Sequence, residues 1–338
     1  MTMKLILALF ALLSPALAGK LEVIAGGGLA EADAPATQCK LREPFAVEFT
    51  PDGQMVIAEM VSGNRVLAVD KAGKLTLLAG TGKKGFSGDG GAATAAQFNG
   101  IHNLAIAKDG TIYLSDSWNY RIRMLGKDGT ATTFAGTGRK SFGGDGGAAK
   151  DAEFSTLIQL ALDPAGKHIF IADIDNRRIR RIALDTQLVS TVAGNGKSGA
   201  PPDGALAVES PLSDPRAVIP AADGSFYILE RNGNALRFVD TAGRIRTVVS
   251  GTLNGPKHAC FDLDGSVIIA DAENHLIRRF DPKTKELTRI AGSGKKGALL
   301  TDDALTSELN RPHGVTIAPD GALIITDSYN DRVLRLAR

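Results

Sequence analysis

The sequence predicts an all-β fold in which six four-stranded antiparallel sheets surround one axis, a six-bladed β-propeller. Three observations predict this fold. A unit of short strands and tight turns is legible in the middle of the chain, the unit recurs six times, and the N-terminal segment has the pattern of the strand that the last unit lacks.

The repeating unit is clearest in residues 99–134, where four short apolar segments alternate with turns. Two of these turns are Asp109-Gly110 and Asp128-Gly129. Asp-Gly between β-rich segments is a strong hairpin signal, because the turn needs a positive φ that glycine adopts without steric strain. Four strands in sequence form a meander, and one meander alone leaves apolar faces uncovered, so repetition is expected.

Six copies of the unit can be aligned on the residue that enters the first strand. The entry residues are Phe45, His102, Ile158, Arg216, Lys257 and His313. Successive entry residues are 57, 56, 58, 41 and 56 positions apart, which predicts six blades in a single domain.

An acidic residue ends the second strand of every copy. These residues are Glu59, Asp116, Asp173, Glu230, Asp271 and Asp327. A catalytic pair of acids would not be expected to recur in all six copies, so we interpret these acids as structural. We expect them to accept backbone N–H bonds or to pair with arginines of the following segment, namely Arg121, Arg178 and Arg332.

The N-terminal strand is predicted to close the ring. The last copy ends after its third strand, and residues 21–25 resemble the fourth strands of the other copies. We therefore expect this segment to be the outer strand of the last blade, which would join the two ends of the chain and leave no gap in the ring.

Residues 1–18 read as a signal peptide, with a short basic start, an apolar stretch and Ala16-Leu17-Ala18 as the cleavage site. This predicts a secreted or periplasmic protein with one propeller domain at 19–338. The apolar stretch is too short to span a membrane, and a net charge of +2 argues against a general nucleic-acid binder. Cys39 and Cys260 fall in blades 1 and 5, and we expect two separate thiols, although export would permit a disulfide.

Residues 79–98, AGTGKKGFSGDGGAATAAQF, and residues 113–123, YLSDSWNYRIR, resemble the NHL-repeat family. The resemblance extends over essentially all of 19–338. It implies the propeller fold and says little about activity. Relatives on this fold include extracellular sensor domains, adhesion or scaffold modules and a few enzymes, among them the peptidyl-hydroxyglycine amidating lyase and, more distantly, gluconolactonase-like hydrolases.

The long loops should share one face of the disc, because the first strand starts there and the second returns to it. Function usually lies on such loops. The entry residues would surround the central channel on this face. The residues that directly follow them in the sequence include further polar side chains. The predicted ligand site comprises His102, Asn103, Arg216, Lys257, His258 and His313. Arginine binds carboxylates and phosphates bidentately, so the site suits an anion. In the alternative, the two cations pair with loop acids such as Asp214 or Glu230 and the histidines bond to backbone.

The resemblance to the amidating lyase suggests an enzymatic alternative. That family places zinc-binding histidines in a Pro-His-Gly-like sequence on alternate blades. Residues 311–314 match around His313, and residues 100–103 match around His102 without the proline, but Arg216 replaces the third histidine. Two histidines beside a permanent cation make a poor zinc site. We expect no cofactor, and keep a zinc- or calcium-assisted lyase or hydrolase centred on these two histidines as the alternative.

Two further features favour a binding surface on the long-loop face. The short step of 41 residues before Lys257 predicts a notch beside blade 5. Trp118 and Tyr329 share the column two residues past the blade acid and are candidate partner contacts. The sequence therefore favours a binding or scaffold module for a protein partner or an anionic ligand, with no role in nucleic-acid binding and no membrane span.

Overall fold

The computed structural model describes residues 19–337 and contains six antiparallel sheets joined in chain order. The predicted six-bladed propeller is confirmed. The signal-peptide prediction for 1–18 lies outside the described residues. Regular helix within 19–337 is limited to three-residue 3₁₀ turns, which are Ala36–Gln38, Ala93–Ala95, Ser117–Asn119, Ala149–Asp151, Ala207–Glu209, Ala272–Asn274 and Ser328–Asn330.

Each blade is a meander whose first strand is innermost. The strands of blade 1 are Pro44–Phe49, Met55–Glu59, Arg65–Val69 and Lys74–Ala79. Those of blade 2 are Ile101–Ile106, Ile112–Asp116, Arg121–Leu125 and Thr130–Ala135. Two-residue strands, Ala34–Pro35 and Gly91–Ala92, extend these two sheets on the outside.

Blades 3 to 5 repeat this order without the added strand. Blade 3 comprises Leu157–Leu162, His168–Asp173, Arg178–Ala183 and Val189–Ala193. Blade 4 comprises Pro215–Pro220, Phe226–Glu230, Ala235–Val239 and Ile245–Ser250. Blade 5 comprises His258–Phe261, Val267–Asp271, Leu276–Phe280 and Leu287–Ala291.

Blade 6 combines both ends of the described chain. Its strands from the axis outward are Val315–Ile317, Leu323–Asp327, Arg332–Leu336 and Leu21–Gly26. The outer strand runs antiparallel to its neighbour, with Leu21 opposite Leu336. The predicted closure by the N-terminal strand is therefore confirmed, and it removes the open edge that the last blade would otherwise expose.

The core lies between adjacent blades and is built mainly from aliphatic side chains. Between blades 6 and 1, for example, Ile57 and Leu67 pack with Ile324 and Val333 in one buried cluster. Cys39 belongs to the same cluster. The structure has Cys39 and Cys260 as separate thiols, the first buried and the second partly buried.

The blade acids fasten each inner strand to its neighbours. Asp116 accepts a hydrogen bond from the Asn99 backbone N–H at 2.7 Å and one from Asn119 Nδ2 at 2.8 Å. Its arginine partner is the fully buried Arg123, with an Nη1 to Oδ2 distance of 3.5 Å. The structural role expected of these acids is thus what the geometry shows.

The expected arginine partners need correction in two blades. Arg121 donates to the carbonyls of Asn119 and Thr137 and lies over a phenyl ring, and Arg178 donates to two loop carbonyls in the same way. The buried arginine two residues further on, Arg123 or Arg180, faces the acid instead. In blade 6 the expected partner, Arg332, does pair with Asp327 at 2.8 Å.

Candidate functional site

Bulges at the start of the inner strands place consecutive residues at the axis. In blade 2, Ile101 lies opposite Asp116 and Leu104 lies opposite Leu114. Two residues, His102 and Asn103, therefore lie opposite the single residue between Asp116 and Leu114 on the neighbouring strand. Blades 1, 3 and 4 have a register shift at the corresponding position. A bulge re-aims the side chains beside it, which is why two successive columns of the repeat contribute to the channel.

The first column forms the channel mouth, defined here as the six entry residues. Phe45 stacks on His313 with ring centroids 3.7 Å apart and meets His102 edge-on at 5.6 Å. Arg216 and Lys257 lie close enough to lower the pKa of both histidines through their positive charge. The structure therefore gathers the predicted residues of blades 2, 4, 5 and 6 at the hub.

The two cations of the mouth, Arg216 and Lys257, are partly buried and buried respectively, and neither makes a close ion pair. Arg216 Nε lies 3.4 Å from Asp214 Oδ1 and, among the described residues, makes no hydrogen bond. Lys257 Nζ lies 3.6 Å from Glu273 Oε1, and burial, reinforced by nearby arginines, lowers the pKa of Lys257 to about 8. Glu273 itself accepts two hydrogen bonds from Arg311, at 2.7 and 2.9 Å. Each cation thus has an acid nearby without a close hydrogen bond to it.

Of the two loop acids considered as partners of the cations, Asp214 lies beside Arg216, whereas Glu230 pairs with Arg237. Glu230 accepts a hydrogen bond from Arg237 Nε at 2.9 Å and pairs with its Nη2 at 2.7 Å. The acid beside Lys257 is Glu273, which belongs to the same column as Trp118 and Tyr329.

The histidines of the mouth are neutral. Burial lowers the pKa of His102 to about 3, with Arg216 adding to the effect, and it lowers the pKa of His313 well below its usual value. His102 Nδ1 lies 2.8 Å from Ser117 Oγ, and this hydroxyl donates to the carbonyl of Leu157. The hydroxyl must therefore accept from Nδ1–H, which leaves a lone pair on Nε2. His102 cannot donate to an anion through that atom.

The second column forms a polar layer beneath the mouth, consisting of Asn103, Gln159 and His258. His258 Nε2 lies 3.2 Å from Asn103 Nδ2 and 3.1 Å from Gln159 Nε2. The two amide oxygens accept backbone N–H bonds from the neighbouring blades, at Leu160 and Val218. Asn103 and His258 were predicted as ligand residues, and the structure places them in this interlocked layer, where burial lowers the pKa of His258 to about 4.

The channel continues below the polar layer as a cavity of about 330 Å³, here called the lower cavity. Glu48 on the inner strand of blade 1 lines it and was absent from the predicted site. The signal was available in the repeat alignment, because Glu48 stands three positions after the entry residue. The other blades have at this position Ala105, Ala161, Ile219, Cys260 and Thr316.

The two candidate aromatic contacts differ in exposure. Tyr329 is exposed, with the Arg311 guanidinium 5.5 Å from its ring centre. Trp118 is partly buried, packs edge-on against His102 at 5.4 Å and leaves no room for a side chain at Gly100. Trp118 is therefore part of the wall of the mouth, and Tyr329 is the more accessible of the pair.

The architecture defines the class of protein, a closed six-bladed β-propeller with a polar mouth at its hub. The pattern of the teneurin NHL domain matches residues 24–126, and that of the NHL repeat matches residues 309–336. The chain therefore combines NHL-repeat sequence patterns near both ends with a six-bladed propeller fold.

Similar proteins share part of their length with this chain. The Arabidopsis thaliana protein SUPPRESSOR OF QUENCHING 1, chloroplastic, is 26% identical over 75% of this chain and 26% of its own length. Human NHL repeat-containing protein 2 is 26% identical over 83% of this chain and 44% of its own length. The chain thus spans less than half the length of these relatives.

Solved structures show the same fold at low sequence identity. An auxiliary nutrient binding protein from Bacteroides thetaiotaomicron has a TM-score of 0.69 at 13% identity, covering 94% of this chain and 76% of that one. A gluconolactonase from Xanthomonas campestris has a TM-score of 0.61 at 14% identity, covering 95% and 92%. At this identity the likeness concerns the fold.

Proposed function

We propose that this propeller is an exported binding module whose channel mouth takes a carboxylate or phosphate group between Arg216 and Lys257. The anion belongs either to a small molecule or to an acidic side chain of a protein partner. The observation that carries the proposal is the state of the two cations at the hub, of which Lys257 is buried and Arg216 is partly buried, and neither is closely hydrogen-bonded by its neighbouring acid.

The energetics favour an added anion at this place. A buried charged donor without a hydrogen bond keeps much of its desolvation penalty. An oxyanion could accept from Arg216 Nε and Lys257 Nζ together, replacing contacts of 3.4 and 3.6 Å by charge-assisted hydrogen bonds. The neutral histidines add no charge to the mouth, so recognition rests on these two cations.

Export is part of the proposal and is supported by the signal-like pattern of residues 1–18. Across residues 19–337, no helix is long and apolar enough to cross a membrane. A nutrient-binding protein among the similar folds is in keeping with a binding role. Sequencing the N-terminus of the purified mature protein tests this point, with Gly19 as the expected first residue.

The anion proposal is tested by calorimetric titration with inorganic phosphate and with succinate at pH 7. We expect saturable binding by the wild type and at least a tenfold loss in Arg216→Ala, because the bidentate partner is removed. The matched control is Arg177→Ala, which removes an exposed arginine from the loop that follows Asp173 on the same face. Equal binding by wild type and Arg216→Ala, or no binding by the wild type, would overturn the proposal.

A metal-assisted lyase or hydrolase at the mouth is disfavoured by the available donors. Within residues 19–337, no group of three or more histidine, cysteine, aspartate or glutamate side chains could hold a metal ion. The Nδ1 atom of His102 is hydrogen-bonded to Ser117. Two cations, Arg216 and Lys257, lie near both histidines. The acids nearest the mouth, Asp214 and Glu273, already lie against arginines. This donor set suits neither zinc nor calcium.

A further inference from the structure

The lower cavity is a second candidate site, on the face opposite the mouth. Its walls come from the inner strands of blades 1 to 5. It reaches Pro164, in the first turn of blade 3, and Pro220, the last residue of the inner strand of blade 4, so it opens where the hairpin turns lie. The polar layer separates it from the channel mouth, because Gln159 and His258 form its inner end.

Glu48 is the one acid in this lining and has little to stabilise its charge. Within residues 19–337, the Glu48 carboxyl group accepts one hydrogen bond, from the Thr316 hydroxyl at 3.5 Å, and no lysine, arginine or histidine forms an ion pair with it. Burial raises the pKa of Glu48 to about 7. The blade acids are fully buried, but each has an arginine and a backbone N–H as partners. Glu48 is therefore a partly buried carboxyl group on the cavity wall that has no charged partner among the described residues.

The rest of the cavity is largely apolar or already hydrogen-bonded. Ala161, Ile219 and Phe261 contribute apolar groups. At the inner end, the oxygen of Gln159 accepts from the Val218 N–H and its amide nitrogen contacts His258. A ligand would thus find a single carboxyl group, that of Glu48, among its contacts, and this group lies on an apolar wall.

We propose that the lower cavity binds a small apolar primary amine, whose ammonium group pairs with Glu48 while its hydrocarbon part packs against the apolar wall. An ammonium supplies both the opposite charge and the hydrogen-bond donors that the carboxylate lacks, and the pair is strengthened by the low local polarity. A cavity of about 330 Å³ is at the small end of ligand sites, which suits a small molecule rather than a peptide segment.

The test uses hexylammonium as the probe, in calorimetric titrations at pH 8 with the full mature chain. We expect saturable binding by the wild type and at least a tenfold weaker affinity for Glu48→Gln, which keeps the shape and removes the charge. Glu286→Gln, at an exposed acid on blade 5, is the matched control and should bind as the wild type does. Hexanol, with the same hydrocarbon part and no charge, should bind weakly and equally to all three proteins.

A pH series on the wild type alone gives an independent readout. Below pH 7 the ammonium must displace the proton on Glu48, so its affinity should fall about tenfold per pH unit and level off above pH 7. Glu48→Gln should show no such slope. Unchanged hexylammonium affinity in Glu48→Gln, a flat wild-type pH profile or absence of wild-type binding would overturn the proposal.

The two proposed sites can be separated by crossing variants and probes. Arg216→Ala should lose phosphate and keep hexylammonium, since the polar layer lies between the sites. Glu48→Gln should keep phosphate and lose hexylammonium. Loss of hexylammonium in Arg216→Ala while Glu48→Gln retains it would place the amine at the mouth and overturn the inference.

Discussion

The imidazole of His313 stacks on the phenyl ring of Phe45, with their centroids 3.7 Å apart and their planes at 15°. His313 opens blade 6 and Phe45 opens blade 1, so this stack spans the seam between the last blade and the first. The same phenyl ring meets His102 of blade 2 edge-on. One aromatic side chain thus packs against the two imidazoles of the mouth and helps keep them out of water and neutral.

Phe45→Ala should therefore weaken both the seam and the shielding of the histidines. We expect the free energy of unfolding to fall by about 3–5 kcal/mol, the usual effect of truncating a buried phenylalanine. The pKa of His313 should rise toward its ordinary value, because burial is the main cause of its depression. Urea unfolding and NMR titration of the imidazole measure the two effects.

The control for this change is Phe86→Ala, which removes an exposed phenyl ring that lies 4.0 Å from the Arg121 guanidinium. Its expected effect is about 1 kcal/mol or less. Equal effects of the two truncations would show that the stack at the seam does not contribute as described.

Closure by the N-terminal strand makes a separate prediction at Leu21, which is buried in the core of blade 6. Leu21→Ala should lower the free energy of unfolding by about 2–5 kcal/mol, because it leaves a cavity in a closed blade. Its neighbour Glu22 is exposed on the same strand, and Glu22→Ala should change stability by about 0.5 kcal/mol or less. Urea unfolding of both variants decides the matter, and a frayed strand would make Leu21→Ala as mild as the control.

The fold was readable from the sequence because each blade carries its own local signals. Alternating strands, Asp-Gly turns and a recurring acid such as Asp116 repeat at a steady period, and these signals predict the order of the strands and turns in each blade. The closing strand was also predictable, since the last copy lacks a fourth strand that 21–25 supplies. Local patterns of this kind do not depend on knowing which residues meet in space.

The sequence predicted which repeat positions form the site, but not the contacts that their side chains make. The entry residues follow from alignment, and they do meet at the hub, but the bulge that brings Asn103 to the axis depends on backbone register. The partner of Lys257 is set by the loop that carries Glu273 rather than by distance along the chain. The repeat alignment shows Glu48 as the charged residue of its column, but only the structure shows that this position lines a cavity.

The buried imidazole of His258 predicts a loss of stability in acid. Its pKa is lowered to about 4 in the folded protein, so the unfolded chain binds a proton first as the pH falls below about 6.5. This group alone should reduce the free energy of unfolding by roughly 3 kcal/mol between pH 6.5 and pH 4. His258→Gln should lose that part of the acid dependence, as measured by urea unfolding at intervals of half a pH unit. An unchanged slope would mean that the imidazole is hydrated.

Glu48 predicts the opposite slope over a partly shared range. Its pKa is raised from about 4.5 to about 7 by burial, so between these pH values the unfolded chain ionises while the folded protein keeps the proton. The wild type should therefore lose roughly 3 kcal/mol of stability as the pH rises from 4.5 to 7, with no further loss from this group above pH 7. Glu48→Gln should match the wild type near pH 4.5 and exceed it in stability above pH 7, whereas the control Glu286→Gln should follow the wild type throughout. Urea unfolding at pH 5, 7 and 9 compares the three proteins, and parallel curves for wild type and Glu48→Gln would show that water reaches the carboxylate freely.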